Sequence, residues 1–86
     1  MVSKEIELGG DGGLHLRPAS RLSSAALEYK CRCDMIIDGK AYNIKSVLSV
    51  LSAQIQAKKT VTIRCEGADE EAALSALTAC AGETKE

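Results

Sequence analysis

The stretch CRCDMIIDGKAYNI, residues 31–44, decides the fold because it describes a complete β-hairpin. Its first half alternates between two faces, which is typical of a strand with one buried side. The predicted buried face holds Cys31, Cys33, Met35 and Ile37, and the opposite face holds Arg32 and Asp34. Asp38-Gly39 is a strong signal for a two-residue type I′ turn, which needs positive φ at both positions. The chain is therefore predicted to return as a short strand over residues 40–43.

Upstream of the hairpin, the sequence predicts one strand and one helix. In VSKEIEL, residues 2–8, Val2, Ile6 and Leu8 share an inner face, and Lys4 is expected at the edge of the sheet. GGDGG then opens a loop. From residue 17 to residue 30, apolar residues recur at helical spacing, and Pro18 suits the first turn of that helix. The helical apolar positions are Ala19, Leu22, Ala26 and Tyr29.

Downstream, the pattern predicts a helix, a strand and a last helix. Ser46 is a good N-cap for the first of these helices, and its apolar arc is wider than one core-facing stripe needs. TVTIRCE, residues 60–66, alternates as a strand. Asp69 is expected to cap the last helix, with Glu70 and Glu71 in its first turn. The inner stripe of that helix is predicted to be Leu74, Leu77, Cys80 and Ala81, and the inward strand residues Val61, Ile63 and Cys65.

The predicted order is therefore β-α-β-β-α-β-α within a single domain, residues 1–86. Strands separated by helices in this way indicate an α+β fold with two layers. We expect an open-faced sandwich in which a four-stranded antiparallel sheet carries three helices on one face.

Composition excludes several classes of function. Eleven basic and twelve acidic residues give a net charge of −1, whereas a nucleic-acid-binding protein shows a basic excess. The only aromatic residues are Tyr29 and Tyr42, so no stacking platform for bases is present. No apolar run suits a signal peptide or a membrane span. These features predict a soluble, cytoplasmic protein with no nucleic-acid partner and no membrane insertion.

Four cysteines, Cys31, Cys33, Cys65 and Cys80, allow two interpretations. A C-x-C pair with two further cysteines is compatible with a zinc site. Each cysteine, however, falls on a predicted inward position, and cysteine packs well as a small apolar residue. Alternation therefore favours reduced thiols in the core and no metal, and rapid reaction of all four thiols in the folded protein would overturn that interpretation.

GGLHLRPAS, residues 12–20, holds the only histidine, placed just before the predicted helix start. Backbone N–H groups at a helix start favour an anion, and the Arg17 guanidinium suits phosphate oxygens. A histidine at such a place is positioned to hold a phosphoryl group. No second histidine is present to form a catalytic pair, so His15 is predicted to carry a group rather than to turn over a substrate.

The string GLHLRPAS resembles the active-site signature of the HPr family, the histidine phosphocarriers of the bacterial sugar phosphotransferase system. DGKAYNIKS is similar to the hairpin of that family where it runs into the second helix. TVTIRCEGADEEAALSAL is similar to its last strand, turn and last helix. Together these segments cover nearly the whole chain in the right order, and the family fold is the same open-faced sandwich.

The resemblance implies a phosphocarrier rather than an enzyme, with no cofactor. His15 would accept a phosphoryl group on Nδ1 from phosphorylated enzyme I, which draws on phosphoenolpyruvate, and would pass it to sugar-specific enzyme IIA components. Arg17 would steady the phosphate. A monomer is expected, because a carrier visits many partners. The surface expected to dock these partners comprises Leu16, Ser20, Val47, Leu48 and Leu51.

Ser46 matches a second family feature, phosphorylation by HPr kinase/phosphorylase in Gram-positive bacteria. Phosphate at this N-cap would place negative charge beside the apolar surface, weaken enzyme I docking and create a site for a catabolite control protein.

Three residues depart from the family pattern. Leu16 replaces the usual alanine, whereas Gln54 and Lys58 replace common glycines; because glutamine favours helix, the second helix is expected to run further.

Other functions stay open on the sequence. A regulatory HPr-like paralogue, in a nitrogen-linked relay or as a catabolite-repression cofactor, is the nearest alternative, although a pure corepressor has no need of His15. A small metal or redox protein built on the cysteines is a second alternative, which thiol titration would distinguish. A ligand-binding α+β module is a third, without pocket residues to support it.

Overall fold

The computed structural model describes residues 1–10, 13–57 and 59–82. Seven elements confirm the predicted order. They are β1 (Val2–Leu8), α1 (Leu16–Leu27), β2 (Arg32–Ile37), β3 (Lys40–Asn43), α2 (Val47–Ser52), β4 (Lys59–Glu66) and α3 (Glu70–Gly82). Within the described ranges, every helix is too short or too polar to cross a lipid bilayer.

The four strands form one sheet in the order β1-β4-β2-β3, and every neighbouring pair is antiparallel. The hairpin between β2 and β3 is confirmed: Asp38 and Gly39 have φ values of 51° and 83°, as the turn requires. β4 and β2 lie at the centre of the sheet, and their register places Cys33 opposite Cys65.

The core lies between one face of the sheet and the three helices. The predicted inward residues of β2 and β4 are all buried. The predicted stripe of α3 is partly wrong, because Leu74 and Cys80 are only partly buried. Leu77 and Ala81 are buried, as predicted, and Ala73, which was not predicted, is buried one turn before Leu77. Ala73, Leu77 and Ala81 therefore form the buried stripe of α3, and Leu74 and Cys80 pack against the core beside it.

Helix α1 ends at Leu27, three residues before the predicted end. The reason is a contact with the distant Asp69, whose carboxylate accepts hydrogen bonds from Lys30 N at 2.8 Å and Cys31 N at 2.9 Å. These bonds draw the chain out of the helix. Asp69 is at the start of α3, as expected, because its carbonyl accepts a hydrogen bond from Ala73 N at 3.0 Å. Both carboxylate oxygens, in addition, accept bonds from the loop before β2. Glu70 supports the start of α3 by accepting a hydrogen bond from Gly67 N at 3.0 Å.

Helix α2 does not extend through Gln54, contrary to expectation. It ends at Ser52, and Gln54 adopts φ 54°, in the left-handed region. The N–H of Gln54 bonds to the Leu51 carbonyl at 3.1 Å, which closes the helix. The turn then allows Ile55, 7% exposed, to enter the core. Burial of Ile55 therefore outweighs the helix propensity of glutamine. Lys58, the other residue replacing a glycine, lies outside the described residues.

Asp34 lies on the predicted face of β2, but its side chain is covered. It lies on the sheet face away from the helices, yet it is only 4% exposed. Arg32 Nε lies 2.9 Å and Arg64 Nη2 3.2 Å from the same oxygen, Asp34 Oδ2. Arg64 stands directly opposite Asp34 in the register of β2 and β4, so the two arginines cover the carboxylate.

Candidate functional site

The loop before α1 is anchored by backbone hydrogen bonds on its core side, which fixes the position of His15. Gly13 N donates a hydrogen bond to Gly10 O at 3.0 Å, and Leu14 N donates to Ile55 O at 2.9 Å. Leu14 is 8% exposed and packs in the core. Asp11 and Gly12 lie outside the described residues. Because Leu14 is held inside, the next residue, His15, emerges at the surface.

His15 is the N-cap residue of α1, as predicted, with φ −99° and ψ 177°. Its carbonyl accepts the first helical hydrogen bond, from Ala19 N at 3.0 Å. Its side chain is exposed and makes no capping bond. Across the described ranges, no hydrogen bond or ion pair engages the imidazole, so the ring is available to a reaction partner.

The start of α1 is electrostatically suited to an anion. Its first turn contains no acidic residue, and the N–H groups of Leu16 and Arg17 have no acceptor within the helix. Pro18 has no N–H to offer. The Arg17 guanidinium is exposed, and no acidic side chain of the described segments pairs with it. Positive charge at this helix start is therefore not compensated by any side chain within residues 1–10, 13–57 and 59–82.

The predicted docking residues lie on α1 and α2, which pack against each other. Leu16 is 61% exposed and Leu48 is 76% exposed, so both side chains offer apolar surface. Val47, Leu51 and Ser20 are partly buried. Leu16, Arg17 and Ser20 also line an open groove that runs along α1. The wide apolar arc of α2 thus serves two purposes, since Val50 is buried and Leu48 projects outward.

Ser46 is the N-cap of α2, as predicted. Its hydroxyl oxygen accepts a hydrogen bond from Ser49 N at 3.2 Å. The residue is partly exposed, so the hydroxyl is both structurally engaged and close to solvent.

Sequence reasoning missed the residues that support the His15 loop. Ile55 supplies the carbonyl that holds Leu14, and the backbone of Gln56 lies against Gly13. Residues 53–57 read AQIQA, and Ile55 is the only strongly apolar residue in this polar stretch. That isolated isoleucine is the one available sign that the segment returns to the core.

Three of the four cysteines are packed in the core, as predicted: Cys31, Cys33 and Cys65 are at most 2% exposed. Burial, with smaller contributions from Asp69 and Cys33, raises the pKa of Cys31 to about 12. Burial also raises the pKa of Cys33 and of Cys65. The expectation for Cys80 is confirmed only in part, because Cys80 packs against the core but is only partly buried. The buried thiols are therefore protonated at neutral pH.

Comparisons with known proteins agree with this geometry. The family model described as PTS HPr component phosphorylation site matches residues 2–82. The phosphocarrier protein HPr of Mycoplasma genitalium is 40% identical over 74 residues, which cover 85% of this chain and 84% of that protein.

Solved structures give the same result. A histidine-containing phosphocarrier protein of Mycoplasma aligns with a TM-score of 0.90 and 28% identity, covering 96% of this chain and 94% of that chain. The HPr-C-His protein of Thermoanaerobacter tengcongensis aligns with a TM-score of 0.89 and 30% identity, covering 98% and 94%. The chain belongs to the HPr family, the phosphocarrier components of the phosphotransferase system, which carry phosphoryl groups and are not enzymes.

Proposed function

We propose that His15 is the phosphoryl acceptor and that the chain relays phosphate from enzyme I to enzyme IIA components of sugar uptake. The observation that carries the proposal is the exposed imidazole at the N-cap of α1, beside the exposed guanidinium of Arg17, neither of which has a side-chain partner among the described residues. A residue that served only to cap the helix would direct its side chain to the backbone N–H groups. His15 makes no such bond.

The transfer is a displacement at phosphorus. A neutral ring nitrogen of His15 attacks the phosphorus of a phosphohistidine on enzyme I, forming one P–N bond while the donor P–N bond breaks. In the second transfer, an acceptor group of enzyme IIA attacks the phosphorus, and the P–N bond to His15 breaks. The phosphoryl oxygens carry the negative charge throughout, and the N–H groups of Leu16 and Arg17 and the Arg17 guanidinium lie at the same helix start to stabilise it.

Docking is proposed to use the apolar surface around the site. Two exposed leucines lie near the amino ends of α1 and α2. These residues, Leu16 and Leu48, would be buried against either partner. Val47, Leu51 and Ser20 flank them. Leu16 directly follows His15, so the protein that binds this leucine also approaches the imidazole.

The decisive experiment follows phosphoryl transfer. The protein is mixed with enzyme I and phosphoenolpyruvate, and incorporation is followed by intact mass and phosphorus NMR. We expect one acid-labile phosphate, absent from His15→Ala. Arg17→Ala is expected to be phosphorylated more slowly, whereas Arg21→Ala, which removes an exposed arginine one turn further along α1, is expected to behave like the unmodified protein. Equal incorporation into His15→Ala would refute the assignment.

Ser46 is proposed as a regulatory site for HPr kinase/phosphorylase. A phosphate there would retain the interaction with the amino end of α2 and would add charge next to Val47 and Leu48. Enzyme I would then bind less well, because its apolar contact surface would have to desolvate that charge, and a catabolite control protein would gain a binding site.

The regulatory proposal is tested by charge placement. Ser46→Asp is expected to lower the rate of phosphorylation by enzyme I. Ser52→Asp adds the same charge at the exposed carboxyl end of α2 and is expected to have little effect. Equal rates for both variants would show that the position of the charge is irrelevant, and the regulatory role would be abandoned.

A further inference from the structure

A cluster of three thiols lies in the core, away from the His15 site. Cys31, Cys33 and Cys65 place their Sγ atoms within 4.8 Å of one another. The Sγ atoms of Cys31 and Cys33 are 3.7 Å apart. α1 has 12 residues and is therefore about 18 Å long; His15 precedes it, and Cys31 lies just beyond its other end. The cluster is thus independent of the phosphocarrier site.

Strand register explains why these sulfurs meet. Cys33 on β2 is directly opposite Cys65 on β4. The Cys33 carbonyl accepts a hydrogen bond from Ile44 N at 3.0 Å, so the polar backbone groups of Cys33 point toward the β3 side. Cys33 and Cys65 therefore form a pair without mutual backbone hydrogen bonds, the kind of pair in which side chains approach most closely. Cys31 lies two residues before Cys33 and shares its face.

The spacing of the sulfurs suits coordination of a single atom. An atom that bonds three sulfurs at about 2.3 Å each holds them about 3.5–4 Å apart. The Cys31–Cys33 separation of 3.7 Å already lies in this range. The remaining pairs, at up to 4.8 Å, need only rotamer adjustments to reach it. Three sulfur ligands are present without a movement of the strands.

The number of ligands and their surroundings restrict the chemistry of the bound species. Among the described residues, the group contains three ligating side chains, so zinc, which takes four ligands, would need an oxygen donor such as water or Asp69 in this apolar site. The thiols are at most 2% exposed. The Asp69 carboxylate lies next to them, bonded to Cys31 N at 2.9 Å, and disfavours further negative charge. A species that binds three thiolates and leaves no net charge fits this apolar site best.

We propose that Cys31, Cys33 and Cys65 form a binding site for trivalent arsenic. Arsenous acid, As(OH)₃, reacts with three thiols to give a neutral As(SR)₃ group and three molecules of water. Three As–O bonds and three S–H bonds break, three As–S bonds form, and no electron is transferred. The product is uncharged, three-coordinate and bound only to sulfur, as the cluster requires.

A small molecule would reach the cluster from the side covered by the loop that contains Cys31. Cys31 belongs to the loop before β2, and the backbone of Gly67 packs on it so closely that a Cβ there would lie 2.7 Å from Cys31 Cβ. Asp69 joins these two loops through its bonds to Lys30 and Cys31. Separation of the loops exposes Cys31 first, so binding is expected to be slow and limited by this local opening.

The test uses arsenite and the whole reduced chain, prepared with a phosphine reductant. Intact mass is expected to show one adduct equal to one arsenic atom less three hydrogens, and thiol titration after acid unfolding to show one reactive thiol in place of four. The melting temperature is expected to rise with arsenite concentration, because the folded state presents the three sulfurs together. A fall in melting temperature would mean that the unfolded chain is the binding form and would overturn the proposal.

Variants locate the site. Cys80→Ala removes the partly buried cysteine of α3 and is expected to retain the three-bond adduct. Cys33→Ala and, at the loop edge, Cys31→Ala are expected to lose it, with circular dichroism confirming that each is folded. Retention of the adduct by either folded variant would overturn the proposal. So would tighter binding of Zn(II) than of arsenite by the unmodified protein, because zinc needs a fourth ligand.

Discussion

Gly13 holds the loop that carries His15 against the segment after α2. It has φ 86°, and a Cβ at this position would lie 2.6 Å from the Gln56 carbonyl carbon and even closer to the Ile55 oxygen. These contacts come from backbone atoms, which cannot move aside as a flexible side chain does. A single glycine therefore links the position of the candidate phosphoryl acceptor to the end of the second helix.

Gly13→Ala is expected to destabilise the protein strongly, by about 3–4 kcal/mol, because it combines positive φ with a backbone clash. Gly39→Ala is the matched control: Gly39 has φ 83°, yet a Cβ there meets nothing within 4 Å. Its cost is expected to be about 1–2 kcal/mol, from the backbone conformation alone. Urea unfolding measures both, and equal losses would show that the Gly13 contact is unimportant.

Asp69 gives the stability a specific pH dependence. Its hydrogen bonds, first that from Lys30 N, lower the pKa of its carboxyl below the ordinary value. A lowered pKa in the folded state stabilises the protein above the unfolded pKa, about 3.9, and this contribution is lost as pH falls through the folded value. Asp69 is thus one group whose protonation loosens the two loops over Cys31.

Asp69→Asn keeps one acceptor oxygen and leaves either Lys30 N or Cys31 N without its partner. We expect this variant to unfold at lower urea concentration than the unmodified protein at pH 7. The two should converge only when the pH falls below the lowered pKa of the native Asp69 carboxyl, which then becomes neutral as well. Glu71→Gln, in the first turn of α3, should stay close to the unmodified protein at each pH. A difference that persists unchanged into acid would contradict the role given to the charge.

At the scale of elements, α2 ends under conformational strain. Gln54 adopts φ 54°, a conformation that glycine takes at little cost and that other residues take at about 1–2 kcal/mol. The strain persists because Ile55 is buried and its carbonyl holds Leu14. The short helix is therefore terminated by tertiary contacts rather than by its own sequence.

Gln54→Gly is expected to stabilise the protein by about 0.5–1 kcal/mol, since relief of strain exceeds the added entropy of the unfolded chain. Ala53→Gly is the control. Ala53 has φ −69°, in the right-handed helical region, so glycine there is expected to cost about 0.5–1 kcal/mol. Thermal and urea unfolding of both variants test the argument. A loss of stability in Gln54→Gly would mean that the glutamine side chain makes a compensating contribution.

The elements themselves were predictable because their signals are local. Asp38-Gly39 specifies its turn through φ values, and Ser46 caps α2 with its own hydroxyl, so a few neighbouring residues sufficed. The features that were not predicted arise where residues distant in the sequence determine the local structure. The end of α1 depends on Asp69, far along the chain, and the burial of Asp34 depends on the register of β2 with β4. The position of His15 at the start of α1 was predictable because its neighbours in sequence are also its neighbours in the structure.

At the scale of the whole molecule, α1 separates the two candidate sites. Its amino end offers His15 and Arg17 to solvent, while the loop beyond its carboxyl end covers three sulfurs in the core. The sheet supports both ends. β4 and β2 are paired on both sides, whereas β1 and β3 are edge strands. Stability is therefore expected to be highest in the two strands that hold Cys65 and Cys33.

Native-state hydrogen exchange measures this distribution directly. Backbone amides of β4 and the inner part of β2 are expected to exchange only on global unfolding, because both neighbours and the covering helices must separate first. Amides of β3, a four-residue edge strand whose side chains are mostly exposed, are expected to exchange at much lower opening free energy. Asp69→Asn should accelerate amide exchange at Cys31. The amide of Ile63, in the middle of β4, should still exchange only on global unfolding. Protection of β3 equal to that of β4 would contradict this picture, because it would mean that the sheet opens as one unit and that no partial separation exposes the thiols.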